Sequence, residues 1–67
     1  MKLSARNQLK GTLKQIRTDG IVAEVVIDLG GQEIVATITK ASAERLKLKK
    51  GDTVVAVVKA SDVMVAK

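Results

Sequence analysis

Three short segments of this chain concentrate hydrogen-bond donors and offer few acceptors. Ser4-Ala5-Arg6-Asn7 supplies a hydroxyl and a guanidinium. Thr39-Lys40-Ala41-Ser42 supplies two hydroxyls at the start of a helical stretch, where backbone N–H groups have no partner inside the helix. Lys59-Ala60-Ser61 adds an ammonium, another hydroxyl and the amides of a turn. Donor-rich sites of this kind suit an anion whose oxygens only accept hydrogen bonds. Each segment also has a plainer reading on its own. Thr39 and Ser42 are good helix-capping residues, and Lys59 and Arg6 are ordinary solvated charges at strand ends.

Acid–base and nucleophilic catalysis find little support. The chain has no histidine and no cysteine, and no pair of carboxylates sits among apolar residues as a tuned acid and base would require. Asp19, Asp28 and Asp52 fall at turns or strand ends, where solvated structural roles are the rule. Gly30-Gly31 lies between two apolar strand patterns and not ahead of a helix, so it reads as a turn and not as a phosphate loop. The chain is therefore expected to bind and not to catalyse.

The elements that must position these segments are mostly strands. From Ile21 to Leu29 the odd positions Ile21, Ala23, Val25, Ile27 and Leu29 are all apolar, which is the period of a half-buried strand. Leu9 to Arg17 precedes it across the turn signal Thr18-Asp19-Gly20, and Glu33 to Thr39 follows across Gly30-Gly31, completing a meander. The period then changes. Lys40 to Lys47 favours a helix with Thr39 as its N-cap, lysines crowding its end and Gly51 as terminator. Thr53 to Lys59 holds the run Val54-Val55-Ala56-Val57-Val58, apolar on both faces, so it is expected to be covered on both sides. Val63 to Ala66 reads as a last short strand. Five strands with one short helix between the third and fourth is the element order of a mainly β, OB-like barrel, and residues 1–67 read as one domain.

A chain of 67 residues buries little surface and needs a staple. Without cysteine or histidine the remaining staple is association with further copies. A hydrophobic content of 46% with no aromatic residue fits strand faces left for a partner. Twelve Lys and Arg against seven Asp and Glu give a net charge of +5, which favours an anionic partner. Met1-Lys2-Leu3-Ser4 does not read as a leader and no apolar run is long enough to span a membrane, so the expected location is cytoplasmic with no membrane partner.

Ser4-Ala5-Arg6-Asn7-Gln8-Leu9-Lys10-Gly11-Thr12 resembles the opening SARNQ-x-x-G-T signature of the molbindin (Mop) family. Ala36-Thr37-Ile38-Thr39, Ser42 to Leu48, Gly51-Asp52 and Val58 to Val63 follow in the family order, so the resemblance covers essentially the whole chain. The same domain type ends molybdate-transporter ATPases and molybdate-responsive repressors, and this chain resembles the free-standing version. The resemblance implies an OB-like barrel and a homo-oligomer, a hexamer built as a trimer of dimers. It further implies molybdate or tungstate held at subunit interfaces for storage and homeostasis, with no covalent cofactor and no direct metal ligand from a side chain. Carried over by residue, it implies Ser4 and Arg6 from one chain, with Thr39, Ser42, Lys59 and the backbone at Ala60 and Ser61 from neighbouring segments of another. The family often has a bulky aromatic soon after the opening motif, where this chain has Leu9-Lys10.

The donor inventory also explains selectivity. Molybdate and tungstate are unprotonated near neutral pH, whereas phosphate carries a proton that needs an acceptor. A buried donor left facing another donor costs roughly 1–3 kcal/mol, enough for a tenfold preference. The competing reading is a small OB-type or AbrB-like nucleic-acid-binding protein. It rests on the net charge and on Arg45 to Val54, which matches a short helix-end, turn and strand-start pattern. The lack of any aromatic residue to stack on bases weighs against nucleic acid as the partner.

Overall fold

Alternating apolar positions decide most of the architecture of residues 4–67, the part of the chain described by the computed structural model. The reading of Met1, Lys2 and Leu3 as a leaderless start lies outside the described residues. The strands are β1 (Asn7–Asp19), β2 (Val22–Asp28), β3 (Glu33–Thr39) and β4 (Thr53–Val58), with helix α1 (Lys40–Arg45) between β3 and β4. They form one antiparallel sheet in the order β3-β2-β1-β4. The sheet is curled, and its two edges are β3 and β4.

One long strand makes the curl. β1 pairs through Asn7 to Thr12 with β4, and through Thr12 to Asp19 with β2. Within the β1–β2 ladder, just past Thr12 where the two ladders meet, Lys14 is an extra residue, because Leu13 faces Ile27 while Gln15 already faces Val26. Such a bulge bends and twists a strand. At the bend, Leu13 donates to the Asp52 carbonyl at 2.8 Å and accepts from the Gly51 N–H at 2.8 Å, which ties the start of β4 to the middle of β1. Lys14 itself reaches Glu33 at the start of β3 in an exposed ion pair. The hydrogen bond and charge of Glu33 hold the Lys14 ammonium above its ordinary pKa.

Gly11 makes the first half of this strand possible. A Cβ there would come 2.5 Å from the Asp28 carbonyl oxygen and 2.7 Å from Ile27 Cγ2, so β1 crosses the end of β2 at a distance that only glycine allows. The core lies on the concave side, where Leu13 (1% exposed), Val25, Ile27 and Ala56 meet Ile16, Ile34, Ile38 and Val54.

Four sequence expectations need correction. Ile21 is not the first inward residue of β2. It sits with Gly20 in the turn between Asp19 and Val22 and is 83% exposed, because a two-residue turn with Gly20 at φ 62° already matches the strand twist. The connection between β2 and β3 is longer than the Gly30-Gly31 pair: Leu29 donates to the Gln32 carbonyl at 2.7 Å, closing a four-residue loop. Helix α1 stops at Arg45 and not at Lys47. The Lys47 N–H donates to the Glu44 carbonyl and the Leu48 N–H to the Ala43 carbonyl, with Lys47 at φ 53°, which is a Schellman ending about one turn before Gly51 could act.

The fourth correction concerns the barrel. The described residues form four strands, not five, and the barrel is open between β3 and β4. Val63 to Ala66 follows a short 3₁₀ turn at Ala60–Asp62 and pairs with no strand, leaving Met64 and Val65 each 93% exposed. The physical reason is that a strand needs an edge to exchange hydrogen bonds with, and this tail reaches none among the described residues. The concave face stays open as an apolar groove of about 620 Å³, lined by Leu13, Ile27, Ile34, Ile38, Leu48 and Val54 among others. Val55 and Val57 on the other face of β4 are also uncovered.

Candidate functional site

The β1–β4 ladder ends on the pair Asn7 and Val58. Arg6 is the residue before that pair and Lys59 the residue after it, so both cations leave the sheet at the same end. Ser4 and Ser61 follow on the same two chain segments. All four side chains are exposed, as unpaired hydrated charges and hydroxyls tolerate. Among the described residues the ion pair is Lys14 with Glu33, so neither Arg6 nor Lys59 is neutralised by a carboxylate of this chain. Two cations side by side repel each other until an anion stands between them. A pairwise attraction at about 4 Å is then worth roughly 1 kcal/mol in open water and several-fold more where water is displaced.

Local bonds give this end its shape. Gln8 extends from the outer face of β1 and its side-chain amide donates to the Ala5 carbonyl at 2.9 Å, closing the Ser4–Arg6 segment into a turn. On the other segment, the Asp62 N–H donates to the Lys59 carbonyl at 2.9 Å, which curls Ala60 and Ser61 into the 3₁₀ turn. Arg6 and Lys59 therefore adjoin the last pair of the ladder, and Ser4, Ala60 and Ser61 follow on the two segments that leave its same end.

Thr39 and Ser42 are elsewhere. Thr39 closes β3 opposite Val22, which faces Asp19 at the far end of β1. Thirteen residues of β1 separate that end from Arg6. Thr39 Oγ1 accepts from the Ser42 N–H at 3.0 Å and donates to Ser42 Oγ at 2.8 Å, while Arg45 Nη2 donates to the same Oγ at 3.2 Å. Ser42 Oγ thus accepts twice, and its own proton is left to point outward. The free N–H groups expected at this helix start are fewer than the sequence suggested. The Lys40 N–H donates to the Ile21 carbonyl at 2.8 Å, and that of Ser42 is taken by Thr39. A six-residue helix has little dipole to add.

Sequence reasoning passed over two residues here. Arg45 stands three positions after Ser42, one helical turn along, and that spacing could have flagged it. Gln8 is part of the opening motif, but its bond back to Ala5 depends on a turn that no residue pattern announces. A shallow cleft of about 210 Å³ beside Arg17 exposes Asp19 and Glu24, acceptors that repel an anion. Among the described residues no three His, Cys, Asp or Glu side chains gather as a metal cage would need.

Comparison with known proteins adds an independent line. Residues 3–65 match the TOBE domain model. The chain is 44% identical over 66 residues to molybdenum-pterin-binding protein 1 of Clostridium pasteurianum, covering 97% of each. Its fold superposes with a TM-score of 0.95 on a molybdate-binding protein of Sporomusa ovata, at 45% identity and with both chains fully covered. It superposes at 0.89, with 46% identity, on ModG, described as a cytoplasmic molybdate-binding protein and solved with molybdate bound; the match spans 96% of this chain and 46% of that one. Among longer relatives, it spans 24% of the molybdenum transport protein ModE of Herbaspirillum seropedicae, at 45% identity.

Proposed function

We propose that this chain, which belongs to the TOBE-domain family and to its molybdenum-pterin-binding (Mop) members, binds molybdate, and tungstate with it, as an intact tetrahedral dianion. The observation that carries the reading is the end of the β1–β4 ladder, where Arg6 and Lys59 emerge together with no carboxylate paired to either. Arg6 and Lys59 balance the two charges of the ligand. Ser4 and Ser61 and the amides at Ala60 and Ser61 donate to its oxygens. Every group in that set donates and none is a carboxylate or carbonyl, which suits an unprotonated oxyanion and offers the proton of hydrogen phosphate no strong acceptor.

Thr39 and Ser42 lie at the other end of the same chain, so they complete the ligand shell only when a second copy brings its helix α1 against the first copy's ladder end. This makes the site an interface site. The outward proton of Ser42 is the donor that copy contributes, held in place by Thr39 and Arg45. The same association completes the fold. The exposed tail Val63 to Ala66 adds as a strand to an open edge of another copy, closing the OB-like barrel and covering the apolar groove. A hexamer arranged as a trimer of dimers meets both needs. The role is cytoplasmic storage and homeostasis of the oxyanion, and it involves no bond-making step.

Separate Arg6→Ala and Lys59→Ala variants test the assignment by isothermal titration with molybdate. Each loses a charge-assisted contact worth roughly 1.5–3 kcal/mol, so affinity falls by about tenfold to a hundredfold while the oligomer persists. Unchanged affinity in both variants removes the ladder end from the site.

A further inference from the structure

A hydroxyl donates one hydrogen bond and can accept on two lone pairs, so a serine does not by itself exclude a protonated ligand. At Ser42 both lone pairs are taken. Thr39 Oγ1 donates to Ser42 Oγ at 2.8 Å, and Arg45 Nη2 donates to the same oxygen at 3.2 Å. Thr39 Oγ1 in turn accepts from the Ser42 N–H at 3.0 Å. One lone pair of Thr39 Oγ1 stays open, with or without Arg45, so it does not bear on what Arg45 changes.

Stability does not account for where the Arg45 head lies. Its backbone belongs to the last turn of α1, where a cation complements the helix dipole. The side chain runs back toward the helix start, as helical side chains lean, and sets its guanidinium against Ser42. A positive charge there forfeits the favourable end of the dipole. The side chain is exposed, and among the described residues it forms no ion pair. Holding a long exposed side chain in one geometry also costs rotamer freedom.

We infer that Arg45 is a specificity-determining residue of the oxyanion site: by filling the second lone pair of Ser42 Oγ it makes that hydroxyl a donor only, and so excludes oxyanions that carry a proton. The inference rests on the molybdate reading and on Ser42 facing the ligand across the interface. A serine with a free lone pair can accept the proton of hydrogen phosphate or hydrogen arsenate. Ser42 cannot while Thr39 and Arg45 both donate to it. A guanidinium suits the task because it has no acceptor of its own and keeps its protons at any working pH. A carboxamide or hydroxyl at position 45 is able to reverse the bond and return a lone pair to Ser42. The charge of Arg45 favours every dianion alike, whereas the filled lone pair separates them by protonation.

Equilibrium dialysis of the full chain with labelled molybdate tests this, with arsenate and selenate as competitors at mildly alkaline pH. Both are dianions of similar size there, and only arsenate carries a proton. Against the wild type, arsenate displaces molybdate less readily than selenate does. Arg45→Met removes donor and charge together; the lost charge weakens both competitors alike and cancels in their ratio. The strength of arsenate relative to selenate rises by about tenfold in that variant, as expected when a protonated group gains an acceptor. Adding Ser42→Ala removes the freed acceptor and brings the ratio back to within about threefold of the wild type. An unchanged ratio in Arg45→Met, with molybdate still retained, would overturn the inference and leave the molybdate reading standing. So would an arsenate gain that survives Ser42→Ala, because the acceptor would then lie elsewhere. Loss of molybdate retention in Arg45→Met would make Arg45 a ligand or strut in its own right and overturn its role through Ser42. A wild-type chain that retains no molybdate would overturn the molybdate reading itself, and the inference with it.

Discussion

Alanine at position 11 should force apart the two strands that cross there. Its Cβ would lie 2.5 Å from the Asp28 carbonyl oxygen, 2.7 Å from Ile27 Cγ2 and 3.0 Å from Leu29 Cδ2. The Leu29 side chain can swing aside at little cost. The Asp28 carbonyl cannot, because Asp28 is held in the ladder opposite Thr12 on one side and Glu33 on the other. Overpacking of a close contact costs roughly 1–3 kcal/mol, and a backbone obstacle belongs at the upper end. The lower entropy of an unfolded alanine returns about 0.4–1 kcal/mol of that. A net loss of about 2 kcal/mol is large for 67 residues, whose whole stability is on the order of 3–10 kcal/mol. The melting temperature should fall by about 8–16 °C, at roughly 4–8 °C per kcal/mol. Thermal melts of both proteins at the same protomer concentration measure this, since association shifts apparent stability. A melting temperature within about 2 °C of the wild type would refute the close crossing and the role assigned to the motif glycine.

Lys47→Gly relieves the left-handed strain and should stabilise the chain by roughly 1 kcal/mol, seen as a higher denaturation midpoint; a lower midpoint would contradict the Schellman assignment. Lys14 titrates with a pKa raised above 10.5 by Glu33, so whatever stability the pair adds is present below 10.5 and is lost as pH rises through the raised value. Urea midpoints of wild type and Lys14→Met should therefore differ at neutral pH, if only slightly for an exposed pair, and converge in strong alkali. Ending the chain after Asp62 removes the exposed tail and should abolish the native oligomer on light scattering, whereas an intact oligomer would show that Val63 to Ala66 closes nothing.

Much of this fold was readable because burial follows period-two patterning. Ala23, Val25 and Ile27 point inward as their spacing predicts, and Thr39 caps α1 as its side chain suits. The departures share a cause, since each depends on a partner that a linear pattern does not name. The Lys14 bulge lies just past Thr12, where β1 passes from one ladder to the other. The tail Val63 to Ala66 has the composition of a strand but no edge within reach. Lys47 ends the helix although nothing in a lysine signals a left-handed residue. The candidate site was legible in part for the same reason. Residue types marked Ser4, Arg6, Thr39, Ser42, Lys59, Ala60 and Ser61, but only the Asn7–Val58 register puts Arg6 beside Lys59 and sets Thr39 and Ser42 apart at the other end of β1. Gln8 and Arg45 act through bonds to Ala5 and Ser42 that exist only once the turn and the helix have formed.

Equilibrium dialysis of the purified chain against molybdate, with sulfate and phosphate as competitors, tests the central claim most directly. The account predicts stoichiometric retention of molybdate that excess phosphate at neutral pH does not displace, because a shell without a carboxylate offers its proton no strong acceptor. Failure to retain molybdate, or displacement by phosphate as readily as by unlabelled molybdate, would contradict it.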